Sequence, residues 1–126
     1  MSGNTEDLVQ PRHGVRVLLC AADGPKVSSD RDAVDLIGLA AGQAAELVVL
    51  PAERLDPGFF TLSTRIAGEI VQKFVDYRLR IAIVGDISGH LAASSALRAF
   101  VHEADRGGHL WFPADLAELD ARLERS

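Results

Sequence analysis

The chain has 126 residues, 48% hydrophobic and 25% charged, with a formal net charge of -5. That length suits one domain able to remove roughly two-thirds of its unfolded surface from water, and the hydrophobic share excludes wholesale disorder. The acidic balance, without any run of five basic residues, argues against nucleic acid and anionic membrane as partners, and a single cysteine, Cys20, excludes an internal disulfide framework.

No CxxC or HExxH spacing exists to hold a metal, and no cofactor motif is present. The first residues, MSGNTEDLVQPRHG, lack the apolar core of a secretory signal, and no apolar run approaches the roughly 18 residues of a membrane span. The expectation is a cytoplasmic protein with residues 1–6 disordered and residues 7–126 forming a single α/β domain. With aromatics at 6%, its core must be mainly Leu, Val, Ile and Ala.

In chain order, Asp7–Gln10 and Val15–Ala21 read as an N-terminal β-hairpin turning at Pro11-Arg-His-Gly14. The continuous apolar run VRVLLC suits a strand covered on both faces. Ser28-Ser29-Asp30 supplies oxygens for a helix start, and the helix runs to about Gly42 with Val34, Ile37 and Ala41 on one face, widened by Leu36 and Ala40. Glu46–Leu50 is short, apolar and stopped by Pro51, so it reads as a buried strand joined to the previous one by a right-handed parallel crossover. Residues 51–60 form a loop ending in Phe59 and Phe60, which must be tucked under something.

Thr61, Ser63 and Thr64 all fit as caps of the next helix, and the residues alone do not choose between them. Ile66, Ile70, Phe74 and then Tyr77 or Arg78 trace its apolar stripe. Arg65, Glu69, Lys73 and Asp76 lie opposite, with Arg65–Glu69 and Glu69–Lys73 spaced for i, i+4 ion pairs. Gly68 weakens a helix relative to alanine, which points to close approach of another backbone. Arg80–Gly85 is a strand with Asp86 just beyond its end. His90 to Arg106 reads as a third helix with Leu97, Phe100, Val101 and Ala104 inward, His109–Phe112 as a short edge strand, and Pro113 and Asp115 as the start of a last helix facing the sheet through Leu116, Leu119 and Leu123. The order β-β-α-β-α-β-α-β-α gives an α/β sandwich with a mixed, mostly parallel sheet of four to five strands and about four helices.

The stretch LSTRIAGEIVQKFVDYRLRIAIVGD, with SSALRAFVHEADRG and HLWF further on, resembles a bacterial family filed as domain of unknown function 4180. The resemblance spans roughly residues 13–124 and is specific at Ser63, Gly68-Glu69, Gln72-Lys73-Phe74, Tyr77 and Gly85-Asp86. The element order is also similar to STAS domains, the fold of anti-sigma factor antagonists, in which a Ser or Thr at a helix entrance is a regulatory phosphorylation site. That likeness implies a phosphoacceptor at Ser63, with Thr64 and Thr61 as neighbours. The Asp-Ser dipeptide common in STAS domains is absent, because Leu62 precedes Ser63.

Two functional classes stay open. The leading one is a non-enzymatic regulatory or protein-interaction domain with an unidentified protein partner, acting through the Ser63 and Thr64 entrance and the exposed Glu69, Gln72 and Lys73 face of the second helix. The other is a small-ligand site or enzyme at Asp86, Ser88 and His90, since ligands in open α/β sheets bind beyond the carboxyl ends of strands and a His with a carboxylate can move protons. Against each stands a plainer role: N-capping for Ser63, a solvated face for Glu69 to Lys73, and turn-capping for Asp86. Ser63 with His90 and Asp86 lacks the GxSxG elbow of a hydrolase nucleophile, and Cys20 sits in an apolar run where a buried, inert thiol is expected. Trp111 and Phe112 on the short last strand offer an edge for a homodimer.

Overall fold

A computed structural model of the chain describes residues 8–61 and 64–125. Five strands form one sheet in the order β1-β2-β3-β4-β5: β1 is Leu8–Arg12, β2 Val15–Leu19, β3 Leu47–Pro51, β4 Arg80–Val84 and β5 Leu110–Trp111. β1 runs antiparallel to β2, and every later pair is parallel. The fold is therefore the expected α/β class with a mixed, mostly parallel sheet.

The hairpin is tighter than expected. Pro11 and Arg12 belong to β1, and the turn is only His13-Gly14, both at positive φ (51° and 79°), the conformation of a two-residue hairpin loop whose twist matches its strands. In such a hairpin the residues flanking the turn form the hydrogen-bonded pair and the next pair does not. Pro11, opposite Arg16, thus turns its nitrogen away from β2, so the missing N–H breaks no ladder bond.

Strand side chains alternate between two cores. Leu18, Cys20, Val48, Leu50, Ile81, Ile83 and Leu110 face one side. Val17, Leu47, Val49, Ala82 and Trp111 face the other. The first side is covered by α1 (Asp30–Gly42), α2 (Ile66–Asp76) and α4 (Ser95–Arg106), the second by α5 (Leu116–Arg125) through Leu119 and Leu123. Helices on both faces explain why these strands read as continuous apolar runs rather than as alternating ones. Trp111 is buried between layers, with the guanidinium of Arg122 4.4 Å and that of Arg80 5.5 Å from its ring centroid, while Arg122 also donates to Asp105 Oδ1 at 2.8 Å.

Helix α1 begins as its sequence dictates. The Ser29 hydroxyl accepts from Asp32 N at 3.2 Å, and Asp32 Oδ2 accepts from Ser28 N at 2.9 Å. These reciprocal bonds satisfy amides left open at the helix start. Its inward face is Ala33, Leu36, Ile37 and Ala40, so the expected register is corrected: Val34 and Ala41 point to solvent. The small Ala33 and Ala40 let the helix lie close to the sheet, a packing choice that hydrophobicity ranking does not reveal.

Two further expectations are corrected. The third helix is two helices, α3 (Ser88–Ala93) and α4, broken at Ser94, whose extended backbone (φ -145°, ψ 114°) lets its hydroxyl accept from Leu97 N at 3.1 Å. Serine at that position caps a new helix rather than continuing the old one. At the end of α2, Tyr77 is 60% exposed and Arg78 turns the chain at φ 56°, so the apolar stripe closes with buried Ile70 and Phe74 and then Leu79. Phe59 and Phe60 are buried as expected, within a one-turn 3-10 segment at Pro57–Phe60 capped by Asp56, whose Oδ1 accepts from Gly58 N at 2.8 Å.

Candidate functional site

The loop after β4 is shaped by Gly85, whose φ of +147° is open only to glycine, and a Cβ there would meet Ala52 Cβ at 3.1 Å. Asp86 follows, and its Oδ1 accepts from Ser88 N at 2.9 Å, closing the turn into α3. Hydrogen bonds from the Ser88 side chain and backbone hold the Asp86 carboxyl below the usual carboxylate range. It is thus a carboxylate near neutral pH, suited to accepting hydrogen bonds rather than to donating a proton. His90 lies one turn on, with its ring stacked on Phe60 at 4.2 Å between centroids and 11° between planes. Asp86, His90, Phe60 and Glu53 border a depression of about 390 Å³. A second, of about 440 Å³, shares Phe60 and His90 and is bordered also by Thr61 and Ser94. Ser88 lines neither of them.

At the entrance to α2, Ser63 lies outside the described residues. The Thr64 hydroxyl is 2.7 Å from Gly58 O and 2.8 Å from Thr61 O, and it accepts from Ile66 N at 3.3 Å. It staples the loop to the helix start without acting as the N-cap. That position is held by Arg65, in the left-handed region at φ 66° and ψ 4°, with no side-chain capping bond.

Along the outer face of α2, Arg65, Gly68, Glu69, Gln72, Lys73 and Asp76 line an open groove of about 660 Å³, completed by Asp30 from the start of α1 and Phe100 from α4. The three residues singled out in sequence, Glu69, Gln72 and Lys73, are thus brought together. Gln72 Nε2 donates to Asp76 Oδ1 at 2.8 Å. The anticipated Arg65–Glu69 and Glu69–Lys73 pairs are not among the ion pairs of the described residues; Arg65 and Glu69 are exposed and Lys73 is half-buried. The expected close approach at Gly68 is likewise absent: a Cβ there would meet nothing within 4 Å. The glycine serves no contact inside the chain, and its effect is a notch in the groove floor.

Sequence reasoning missed Phe60 as the support of His90 and Phe100 as the groove's aromatic wall, both brought in from distant segments that no local spacing links. It also missed Arg54, 4% exposed, whose Nε donates to Pro25 O at 2.7 Å and a terminal nitrogen to Ala21 O at 2.9 Å, tying the turns after β2 and β3 together. Among the described residues no group of three or more His, Cys, Asp or Glu side chains is placed to hold a metal, and no helix is long and apolar enough to cross a membrane.

The five-stranded, mostly parallel sheet with helices on both faces makes this an α/β protein whose charged groove lies on a helix rather than at the strand ends. A family model described as Domain of unknown function (DUF4180) matches residues 12–123, and the chain belongs to that family. No curated protein and no solved structure matches the chain.

Proposed function

We propose that the chain is a non-enzymatic regulatory or protein-interaction domain, STAS-like in its topology and resembling anti-sigma factor antagonists, that docks a protein along the outer face of α2. The observation that carries this reading is the contrast between its two candidate surfaces. The α2 groove gathers Arg65, Glu69 and Lys73 with their charges unpaired among the described residues. At the strand ends, Asp86 is bonded to the Ser88 amide and His90 is stacked on Phe60. Groups already engaged within the chain are poorer candidates for reactive chemistry than charges without an ion-pair partner are for docking. The ligand-binding reading at Asp86, Ser88 and His90 therefore ranks second.

In this reading Ser63 and Thr64 are the phosphoacceptors that regulate docking. A phosphate on Thr64 would remove the hydrogen its hydroxyl shares with the carbonyls of Gly58 and Thr61, freeing the entrance to α2. The test is affinity capture from native extract with the wild-type chain, a Glu69→Lys/Lys73→Glu variant, and Ser63→Asp and Thr64→Asp variants. Proteins held by the wild type and lost from the charge-reversed variant support the proposal. Capture of one metabolite and no protein, or proteins indifferent to every variant, would overturn it.

A further inference from the structure

We infer that the α2 face docks a second copy of this chain, helix against helix, in an antiparallel crossing about a two-fold axis. The inference rests on the docking role proposed for α2 and names the partner. Arg65, the N-cap, and Asp76, the last residue of α2, both line the groove, one at each end of a helix whose eleven residues rise about 16 Å. Between them the groove presents Gly68, Glu69, Gln72 and Lys73. A two-fold axis level with the midpoint of Ile70 and Val71 sets Arg65 of one copy level with Asp76 of the other, Gly68 level with Lys73, and Glu69 level with Gln72.

The contacts this arrangement makes across the axis are complementary. Arg65 meets Asp76 of the second copy, opposite in charge. Lys73 lies on the same margin as Glu69 of the second copy, which is opposite in charge. The Glu69 carboxylate faces Gln72, a side-chain amide that can donate to it. An isologous interface demands this self-complementarity of one patch with itself. The large hydrophobic side chains exposed among the described residues, Val34, Leu39, Val75 and Tyr77, all lie on α1, on α2 or immediately after α2. Of these, Val75 and Tyr77 flank Asp76 in sequence and supply apolar surface at that end of α2.

The test is sedimentation equilibrium of the full chain over a dilution series, with circular dichroism to verify folding of each variant. The wild type is expected to pass reversibly from monomer to dimer. Arg65→Asp and Asp76→Arg each place like charges together twice per dimer and should weaken dimerisation about tenfold. The double variant Arg65→Asp/Asp76→Arg restores both pairs with reversed sign and should recover most of that loss. A wild type that stays monomeric, or a double variant no better than the singles, would overturn the inference. If the chain stays monomeric while capturing another protein in a Glu69- and Lys73-dependent way, the second-copy inference fails and the docking role stands. Loss of both would remove the docking role as well.

Discussion

Replacing Gly68 with alanine should stabilise the chain, and the size of the effect follows from the geometry of α2. Gly68 lies inside Ile66–Asp76 on its outer face, and an added Cβ meets nothing within 4 Å. No clash opposes the change, and the exposed methyl gains little from burial. What remains is the backbone: alanine reduces the freedom of the unfolded chain, an advantage of about 0.8–1 kcal/mol in a helix interior. An unfolding entropy of about 2.1 cal/mol/K per residue gives roughly 0.26 kcal/mol/K for a chain of this length. The midpoint of thermal unfolding should therefore rise by about 3–4 °C. Circular dichroism melts on protein dilute enough to be monomeric measure this directly. An unchanged or lowered midpoint would refute the reasoning, because it would mean that Gly68 is held by a contact within the chain.

The opposite result is expected at Gly85, where alanine combines an unfavourable φ of +147° with a Cβ contact to Ala52 at 3.1 Å. Gly85→Ala should destabilise by roughly 1–3 kcal/mol in urea unfolding, and a neutral outcome would show that the loop relaxes freely. At α1, the backbone hydrogen bond from Ser28 is the main cause lowering the folded-state pKa of Asp32. A carboxyl whose pKa is lower folded than unfolded contributes stability above the unfolded value, and that contribution fades as pH falls through the folded one. Asp32→Asn should thus be less stable than wild type at neutral pH and approach it in acid, as followed by urea unfolding at both pH values; a gap that widens in acid would reverse the assigned sign.

Strands and crossovers were legible because they depend on local pattern. VRVLL, LVVLP and RIAIV are apolar on both sides, and each is followed by a helix-forming segment, which leaves parallel pairing as the short route back to the sheet. The register of α1 was not legible, since Val34 outranks Ala33 in hydrophobicity while it is Ala33 that is buried. The break at Ser94 was hidden for a similar reason: serine is tolerated within helices, and its capping bond to Leu97 exists only once the chain has turned. The α2 face was visible as charges spaced one turn apart. Its groove was not, because Asp30 and Phe100 arrive from other helices.

The two borders of the sheet have a consequence for how this chain meets other molecules. On β1, Pro11 turns outward a nitrogen that has no hydrogen to give an incoming strand. At the far side, β5 is a stub of two residues whose tryptophan is already enclosed. A guest peptide seeking to lengthen the sheet would find an interrupted row of donors on one flank and hardly any row on the other. Open-ended strand stacking, which spreads without limit, is thereby disfavoured at both borders.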